Sequence, residues 1–113
     1  MESTSAVAAL GALAQETRLA IFRLLVEKGP DGLCVGDIGS KLRLAPATLS
    51  FHLKELTHAG LLEARQDGRF IYYAPDFDRM NGLVSYLTEN CCGGETCAPV
   101  CAPVRRKRKE AVT

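Results

Sequence analysis

Apolar residues in the first quarter of the chain recur three, four or seven positions apart, with polar residues between them. Such spacing is that of one face of an α-helix. The pair Gly29-Pro30 then supplies a stop, because glycine ends helices readily and proline cannot continue one. The pattern therefore predicts one long first helix, from Val7 to Val26, whose apolar positions are Val7, Leu10, Ala14, Ile21, Leu24 and Leu25.

A second, shorter helical pattern occupies residues 33–42, with Val35, Ile38 and Leu42 on one side. Residues 43–45 predict a tight turn. Pro46 suits the first position of a third helix, where its missing N–H costs nothing.

The third helix is expected to run to about Ala59, with Gly60 as its cap. Leu49, Leu53 and Leu56 share one of its faces, and polar residues occupy much of the remainder. One face is therefore expected to pack against the core, and the other is offered to a partner.

Two strand-like runs, LLEAR at 61–65 and RFIYY at 69–73, flank Gln66-Asp67-Gly68. An Asp-Gly step between such runs is a strong hairpin signal. Asp76 can then cap a last helix, whose apolar stripe would comprise Met80, Leu83, Val84, Leu87 and Cys91.

The order of these elements predicts a winged helix-turn-helix fold, mainly α-helical with a two-stranded β wing. In this fold the second helix of the pair enters the major groove of DNA and the hairpin tip lies along the flanking backbone. Residues 1–92 would form the DNA-binding and dimerisation domain. Residues 93–113, rich in glycine, proline, cysteine and basic residues, would form a flexible tail.

Composition limits the protein to one small domain. A chain of 113 residues builds a single modest core, which pairing with a second copy would help to stabilise. The net charge is +1, but residues 1–104 hold nine Lys and Arg against twelve Asp and Glu, while RRKRK at 105–109 adds five positive charges. Because the body is mildly acidic, the expectation of DNA binding depends on the motif and not on total charge.

No segment predicts export or a membrane span. The apolar stretch at 6–14 follows Glu2 without any Lys or Arg, unlike a signal peptide, and no run approaches the roughly 20 apolar residues of a membrane helix. We therefore expect a cytoplasmic protein with no membrane partner. In a reducing compartment, closely spaced thiols bind metal or do redox chemistry more often than they form structural disulfides.

No catalytic constellation is apparent. Both histidines, His52 and His58, fall on the third predicted helix, and no nucleophile, base and orienting group come together in the pattern. We expect a protein that is not an enzyme.

Three segments, LAQETRLAIFRLL at 13–25, LCVGDI at 33–38 and LSFHLKELTHAGLLEARQDGRFIYY at 49–73, resemble the ArsR/SmtB family of bacterial metal-responsive repressors. With the closing helix, the resemblance covers roughly residues 8–92. It implies a homodimeric winged-helix repressor whose first and last helices build the dimer. It also implies that the protein leaves its double-stranded operator, an inverted repeat, when a metal or metalloid binds.

On that resemblance the third helix is the recognition helix. Hydroxyl groups suit base edges or phosphates, a lysine suits phosphate, and a phenylalanine can meet a thymine methyl group. In the wing, two arginines bracket the turn and could grip the backbone or enter the minor groove. The candidate DNA contacts are Ala47, Thr48, Ser50, Phe51, His52, Lys54, Arg65 and Arg69. A solvated surface role stays open for each, and for His52 a hydrogen-bonded structural role is the favoured interpretation.

The resemblance also indicates where to look for the sensor. Arsenic-responsive members similar to this chain often carry a cysteine trio in an LCVCDLC segment, but here residues 33–39 read LCVGDIG, and only Cys34 remains. Zinc-sensing members use histidine and carboxylate ligands on the last helix, and the last helix predicted here has no histidine. Other arsenic-responsive relatives carry a vicinal cysteine pair in a TENCC-like sequence with a third cysteine downstream, as residues 88–101 do here.

The implied inducer site is Cys91, Cys92 and Cys97, with Cys101 as a fourth candidate ligand. As(III) and Sb(III) are thiophilic and take thiolate sulfur as their protein donor. Gly93-Gly94 would end the helix and let the chain reverse, which brings Cys97 back over the pair. As(III) or Sb(III) would act as inducer, and no constitutive cofactor is expected.

Other interpretations of the cysteines stay open. Four thiolates could hold zinc, a disulfide from Cys97 or Cys101 to the vicinal pair could make a redox sensor, or the tail could be inert. The sequence does not distinguish As(III), Sb(III), a methylated arsenical and another thiophilic metal as the inducer.

Overall fold

The structure is a computed structural model that describes residues 1–94. Its elements in chain order are α1 (Ser3–Leu13), α2 (Glu16–Lys28), β1 (Leu33–Cys34), α3 (Val35–Leu42), α4 (Pro46–His58), β2 (Leu62–Asp67), β3 (Phe70–Pro75), α5 (Phe77–Leu87) and a 3₁₀ turn (Cys91–Gly94). This order confirms the predicted winged helix-turn-helix. The structure differs from the expectation in the first helix, the sheet and the end of the last helix.

The predicted single helix from Val7 to Val26 is wrong, because the chain breaks between α1 and α2. Gln15 is extended, and its side-chain oxygen accepts a hydrogen bond from the backbone N–H of Arg18 at 2.7 Å. This bond caps the start of α2. Apolar spacing continues across the break, so the periodicity alone did not reveal it.

Residues 33–42 are not helical throughout. Leu33 and Cys34 form β1, which pairs antiparallel with β3 opposite Tyr73 and Tyr72. The wing is therefore part of a three-stranded sheet, in the order β1-β3-β2, and not an isolated two-stranded hairpin. The two residues of β1 are too few to produce a strand pattern in the sequence.

The hairpin itself is confirmed. Asp67 pairs with Phe70, which leaves Gly68 and Arg69 as the two-residue loop. Gly68 has φ +64°, the left-handed backbone that a tight hairpin turn requires at its first loop position.

The helix-turn-helix forms as its sequence predicts. Arg43 adopts a left-handed conformation after α3, and Leu44 N–H donates to the Gly39 carbonyl at 3.0 Å. Pro46 stands at the start of α4, and Gly60, with φ +81°, follows its end. Arg43, Leu44 and Pro46 thus define the turn that sets α4 against α3, and Gly60 ends α4.

The core lies between the helices and the sheet. Leucine, isoleucine and phenylalanine side chains from α2, α3, α4 and the start of β2 fill it, and α2 packs against α1, α3, α4 and β3. Its most completely buried large aliphatic side chains are Ile21, Leu25, Ile38, Leu49, Leu53, Leu56 and Leu61. This packing fixes which faces of the helices reach solvent.

The last helix begins as predicted and ends early. Asp76 Oδ1 accepts from the backbone N–H of Arg79 at 3.0 Å, which confirms the cap. However, α5 ends at Leu87 and Asn90 has φ +58°, so the expectation that Cys91 continues the apolar stripe of this helix is wrong. The described residues divide into two compact units, Met1–Leu83 and the residues from Val84 onward, and the predicted domain boundary at residue 92 stays a prediction.

None of the helices within residues 1–94 is long and apolar enough to cross a membrane.

Gly32 permits the close approach of β1 to β3. It is buried with φ +74°, and a Cβ there would collide with the carbonyl oxygen of Tyr73. We predict that Gly32→Ala lowers the free energy of unfolding by about 2–4 kcal/mol, because it combines an unfavourable φ with a backbone clash. Urea denaturation followed by circular dichroism measures the change.

Gly36→Ala is the matched control. Gly36 lies in α3, and a Cβ there meets no heavy atom within 4 Å, so the change should stay within about 1 kcal/mol. Equal effects of the two substitutions would contradict the close approach at Gly32.

Candidate DNA-binding surface and cysteine site

The recognition helix α4 has a buried face and an exposed face. Leu49, Leu53 and Leu56 are buried on one side. Ala47, Thr48, Ser50, Phe51 and Lys54 are all exposed, as expected for a surface that meets DNA. The Phe51 side chain is 56 % exposed, which leaves its ring available for contact.

His52 does not belong to this exposed set. It is only 8 % exposed, and its Nδ1 lies 3.4 Å from Nη1 of Arg18 on α2. This position argues against a direct DNA contact by His52 and agrees with the structural interpretation. Leu49, three positions before His52, and Leu56, four positions after it, are buried on the same face, since residues three and four apart on a helix lie on one side.

The two wing arginines have different surroundings. Arg69 lies in the exposed hairpin loop. Arg65 is within β2, with its guanidinium 5.0 Å from the centroid of the Tyr72 ring and its Nη2 donating to the Asp31 carbonyl at 3.4 Å. Arg65 therefore lies away from the tip, and Arg69 is the better placed of the two to reach DNA.

A groove of about 570 Å³ lies between α4 and the wing. Its walls include Ser50, Lys54 and His58 from the helix and Arg69 and Phe70 from the wing. No acidic side chain of the described residues lines it. Three of the predicted DNA contacts, at positions 50, 54 and 69, thus meet in one groove that suits a polyanionic backbone.

The vicinal cysteines lie in the short turn after α5. Cys91 is half-buried and Cys92 is exposed, and both Cys92 (φ 57°) and Gly93 (φ 71°) have left-handed backbone. Consecutive left-handed residues reverse the chain direction locally, as expected for a segment that must fold back. Cys97 and Cys101 lie outside the described residues.

No group of three or more His, Cys, Asp and Glu side chains in the part of the chain that the structure describes could hold a metal ion. Of the four predicted thiol ligands, the structure describes Cys91 and Cys92. The complete predicted set includes Cys97 and Cys101, which lie outside the described residues. The half-buried Cys34 lies in β1, paired with Tyr72, and shares no element with the vicinal pair.

Comparison with known proteins agrees with this geometry. A family model described as a helix-turn-helix domain matches residues 13–65, which run from the end of α1 through the recognition helix to β2. The arsenical resistance operon repressor of Bacillus subtilis is 36 % identical over 81 residues, covering 72 % of this chain and 73 % of that protein. A cadmium resistance regulatory protein CadC homologue from Staphylococcus aureus is 34 % identical over 73 residues, covering 65 % of this chain and 59 % of that protein.

Solved structures of similar fold are also transcriptional regulators or DNA-binding domains. HlyU from Vibrio cholerae superposes with a TM-score of 0.64 at 31 % identity, covering 81 % of this chain and 99 % of that one. A homodimeric winged helix-turn-helix DNA-binding domain from Mycobacterium bovis, a possible ArsR-family regulator, has a TM-score of 0.61 at 28 % identity, covering 84 % and 88 % of the two chains.

The fold and its exposed recognition helix thus define a winged helix-turn-helix transcriptional regulator. The chain belongs to the ArsR/SmtB family, whose likeness the sequence motifs had indicated.

Phe51 should read a thymine methyl group. We predict that replacing one particular operator thymine by uracil weakens binding of the wild-type protein roughly fourfold, the equivalent of about 0.8 kcal/mol for one methyl group. Phe51→Ala should abolish this effect at that position. Fluorescence anisotropy with singly substituted duplexes measures it.

Phe70→Ala is the matched control, because it removes the same ring from the wing. It should keep the uracil effect at the position assigned to Phe51. The contact would be excluded if Phe51→Ala kept that effect in full.

Arg69 should contact a phosphate. We predict that Arg69→Met lowers the slope of log affinity against log salt by about 0.9, the value for one phosphate contact on duplex DNA. Arg65→Met should lower the slope less, because that guanidinium already contacts Tyr72 and Asp31. An unchanged slope for Arg69→Met would remove the wing tip from the DNA interface.

Proposed function

We propose that the protein is a homodimeric repressor of a metalloid-resistance operon, which leaves its inverted-repeat operator when As(III) or Sb(III) binds Cys91, Cys92 and Cys97. The observation that carries the proposal is the vicinal cysteine pair in a chain-reversing turn immediately after α5, in a relative of an arsenical resistance repressor. Cys101 is a candidate fourth ligand. The DNA contacts are Ala47, Thr48, Ser50, Phe51, Lys54 and Arg69, with Arg65 as a further candidate.

The chemistry of the ligands supports this inducer. Thiolate sulfur is the donor that soft, thiophilic ions prefer in proteins, and three thiolates neutralise a trivalent centre. Adjacent residues on a regular helix point about 100° apart and do not face one another. A turn in which Cys92 and Gly93 are left-handed is free of that restriction, which supports convergence of the pair on one ion.

Exposed apolar side chains support a dimer. Val7 and Leu10 of α1 are 66 % and 42 % exposed, and Val84 and Leu87 at the end of α5 are also exposed. Helix faces of this kind are what a homodimer would cover. The homodimeric M. bovis domain has the same fold, and two copies would present two recognition helices to half-sites about 34 Å apart.

Release would then be an allosteric coupling between separate sites. Binding at the end of α5 would alter the dimer, and thereby the spacing of the recognition helices. Such couplings are typically about 1–3 kcal/mol, so arsenite should weaken operator binding by roughly 5–150-fold.

In a second candidate function, the same cysteines respond to a different inducer or to oxidation. A CadC homologue is a relative and is named for cadmium, another soft ion that thiolates bind. HlyU, named a transcriptional activator, is 31 % identical over 90 residues, and a reduced form of it is among the structural neighbours. Cadmium, zinc or thiol oxidation would therefore act at the same turn if arsenite does not.

Single cysteine-to-serine variants test the proposal. We predict that Cys91→Ser, Cys92→Ser and Cys97→Ser each lose arsenite-induced release of operator DNA, because each removes one of three sulfur donors. Operator affinity without arsenite is measured first for every variant. Release is then followed by anisotropy as arsenite, antimonite, cadmium, zinc or peroxide is added.

Cys34→Ser is the matched control and should keep the full arsenite response, since Cys34 lies in β1. X-ray absorption of the arsenite complex should give three sulfur neighbours. Full release in both Cys91→Ser and Cys92→Ser would exclude the site, and four sulfurs around zinc without an arsenite response would favour the second candidate.

A further inference from the structure

Arg18, for which the sequence predicted no role, contacts two helices other than its own. Its Nε donates to the carbonyl oxygen of Ala12, in the last turn of α1, at 2.7 Å. Its Nη1 lies 3.4 Å from Nδ1 of His52 on the recognition helix. One guanidinium therefore joins α1 to α4 from its own position on α2.

The contact with Arg18 constrains the imidazole of His52. A guanidinium has only donors, so in a hydrogen bond between the two Nδ1 of His52 is the acceptor. The imidazole is buried, and a buried ring with one bonded nitrogen and packed neighbours has little freedom to rotate. Arg18 thus holds one orientation of His52.

His52 in turn contacts a residue of the DNA-facing surface. The ring centroids of Phe51 and His52 lie 5.5 Å apart at an interplanar angle of 65°, an edge-to-face arrangement. Such aromatic pairs have a preferred geometry. A series of contacts therefore links the Ala12 carbonyl of α1 to Arg18, Arg18 to His52, and His52 to Phe51. Phe51 is the most apolar exposed side chain of the recognition face.

We infer that Arg18 is a positioning residue for DNA recognition: it holds α4 and the Phe51 ring in register with α1 without touching DNA itself. This inference rests on the proposed DNA-binding function. Because α1 is also a proposed dimer element, the same guanidinium ties the recognition face to the dimer. A geometric error at Phe51 costs sequence discrimination, whereas attraction to phosphates is unaffected.

The experiment compares operator binding with non-specific binding. The wild-type protein first selects its preferred duplex from a random pool, and affinities for that duplex and for a scrambled one are measured at several salt concentrations. Arg18→Met should reduce the ratio of the two affinities by about tenfold, comparable to the loss of one base contact. Its affinity for the scrambled duplex should equal that of Arg23→Met.

Arg23→Met is the matched control on the same helix. Within residues 1–94, Arg23 pairs only with Glu27, at 3.5 Å, and its side chain is 70 % exposed. Both variants lose one positive charge, so both change non-specific binding equally. Only Arg18→Met should lose discrimination.

Further variants separate positioning from folding. His52→Phe should lose as much discrimination as Arg18→Met, and the double variant no more than either, because both act through one contact. Arg18→Lys keeps the charge but cannot serve both acceptors with a planar fork, so it should restore only part of the ratio. Melting temperatures are recorded for all variants.

Two results would overturn the inference. One is an unchanged ratio in Arg18→Met, and the other is a parallel loss of both affinities that follows the melting temperature, as a purely structural role requires. A wild-type protein that selects no preferred duplex contradicts the proposed function itself. Lost discrimination in Arg18→Met, in a protein whose operator does not respond to arsenite, supports the inference and contradicts only the metalloid signal.

Discussion

The burial of one face of α4 is the constraint on which the DNA-facing surface depends. Leu49, Leu53 and Leu56 have almost no exposure, and each such side chain contributes about 1.5–3 kcal/mol when it leaves water. A rotation of the helix that exposed them would be far more costly than any single DNA contact could offset. Ser50, Phe51 and Lys54 lie off this buried face and therefore point outward, and their polar and aromatic side chains are the chemistry that we propose meets DNA.

This constraint also explains which parts of the fold could be predicted. The turn chemistry of Pro46 and Gly68 and the leucine stripe of α4 act locally, so the sequence revealed them. The strand β1 depends on pairing with residues about forty positions away. The break between α1 and α2 depends on the hydrogen bond by which the Gln15 side chain caps α2. Neither leaves a periodic signal. The three-stranded sheet and the divided first helix consequently required the structure.

The candidate site residues also differ in how far the sequence alone could predict their surroundings. The exposure of the candidate contacts on α4 follows from helix geometry alone. The contact between His52 and Arg18 joins two helices, and a one-dimensional pattern cannot place these two residues side by side. Arg65 looked equivalent to Arg69 because both flank the turn, yet the strand register separates them.

The glycines of α3 bear on where the signal is sensed. A Cβ at Gly36 would meet open space, and one at Gly39 would make only ordinary contacts, 3.5 Å from Leu44 O and from Leu49 Cδ2. Steric exclusion therefore does not account for the missing thiols, and the cysteines after α5 are left as the sulfur-rich segment. They begin in the unit that starts at Val84, whereas the proposed DNA contacts lie in Met1–Leu83. Coupling requires an element whose equilibrium both ligands bias, and α5 is the helix that belongs to both units.

By linkage, operator DNA must weaken inducer binding by the same factor by which the inducer weakens operator binding. An ion held equally well in both states would release nothing, so the proposed mechanism requires the cysteines after α5 to bind one arrangement of the protein more tightly than the other.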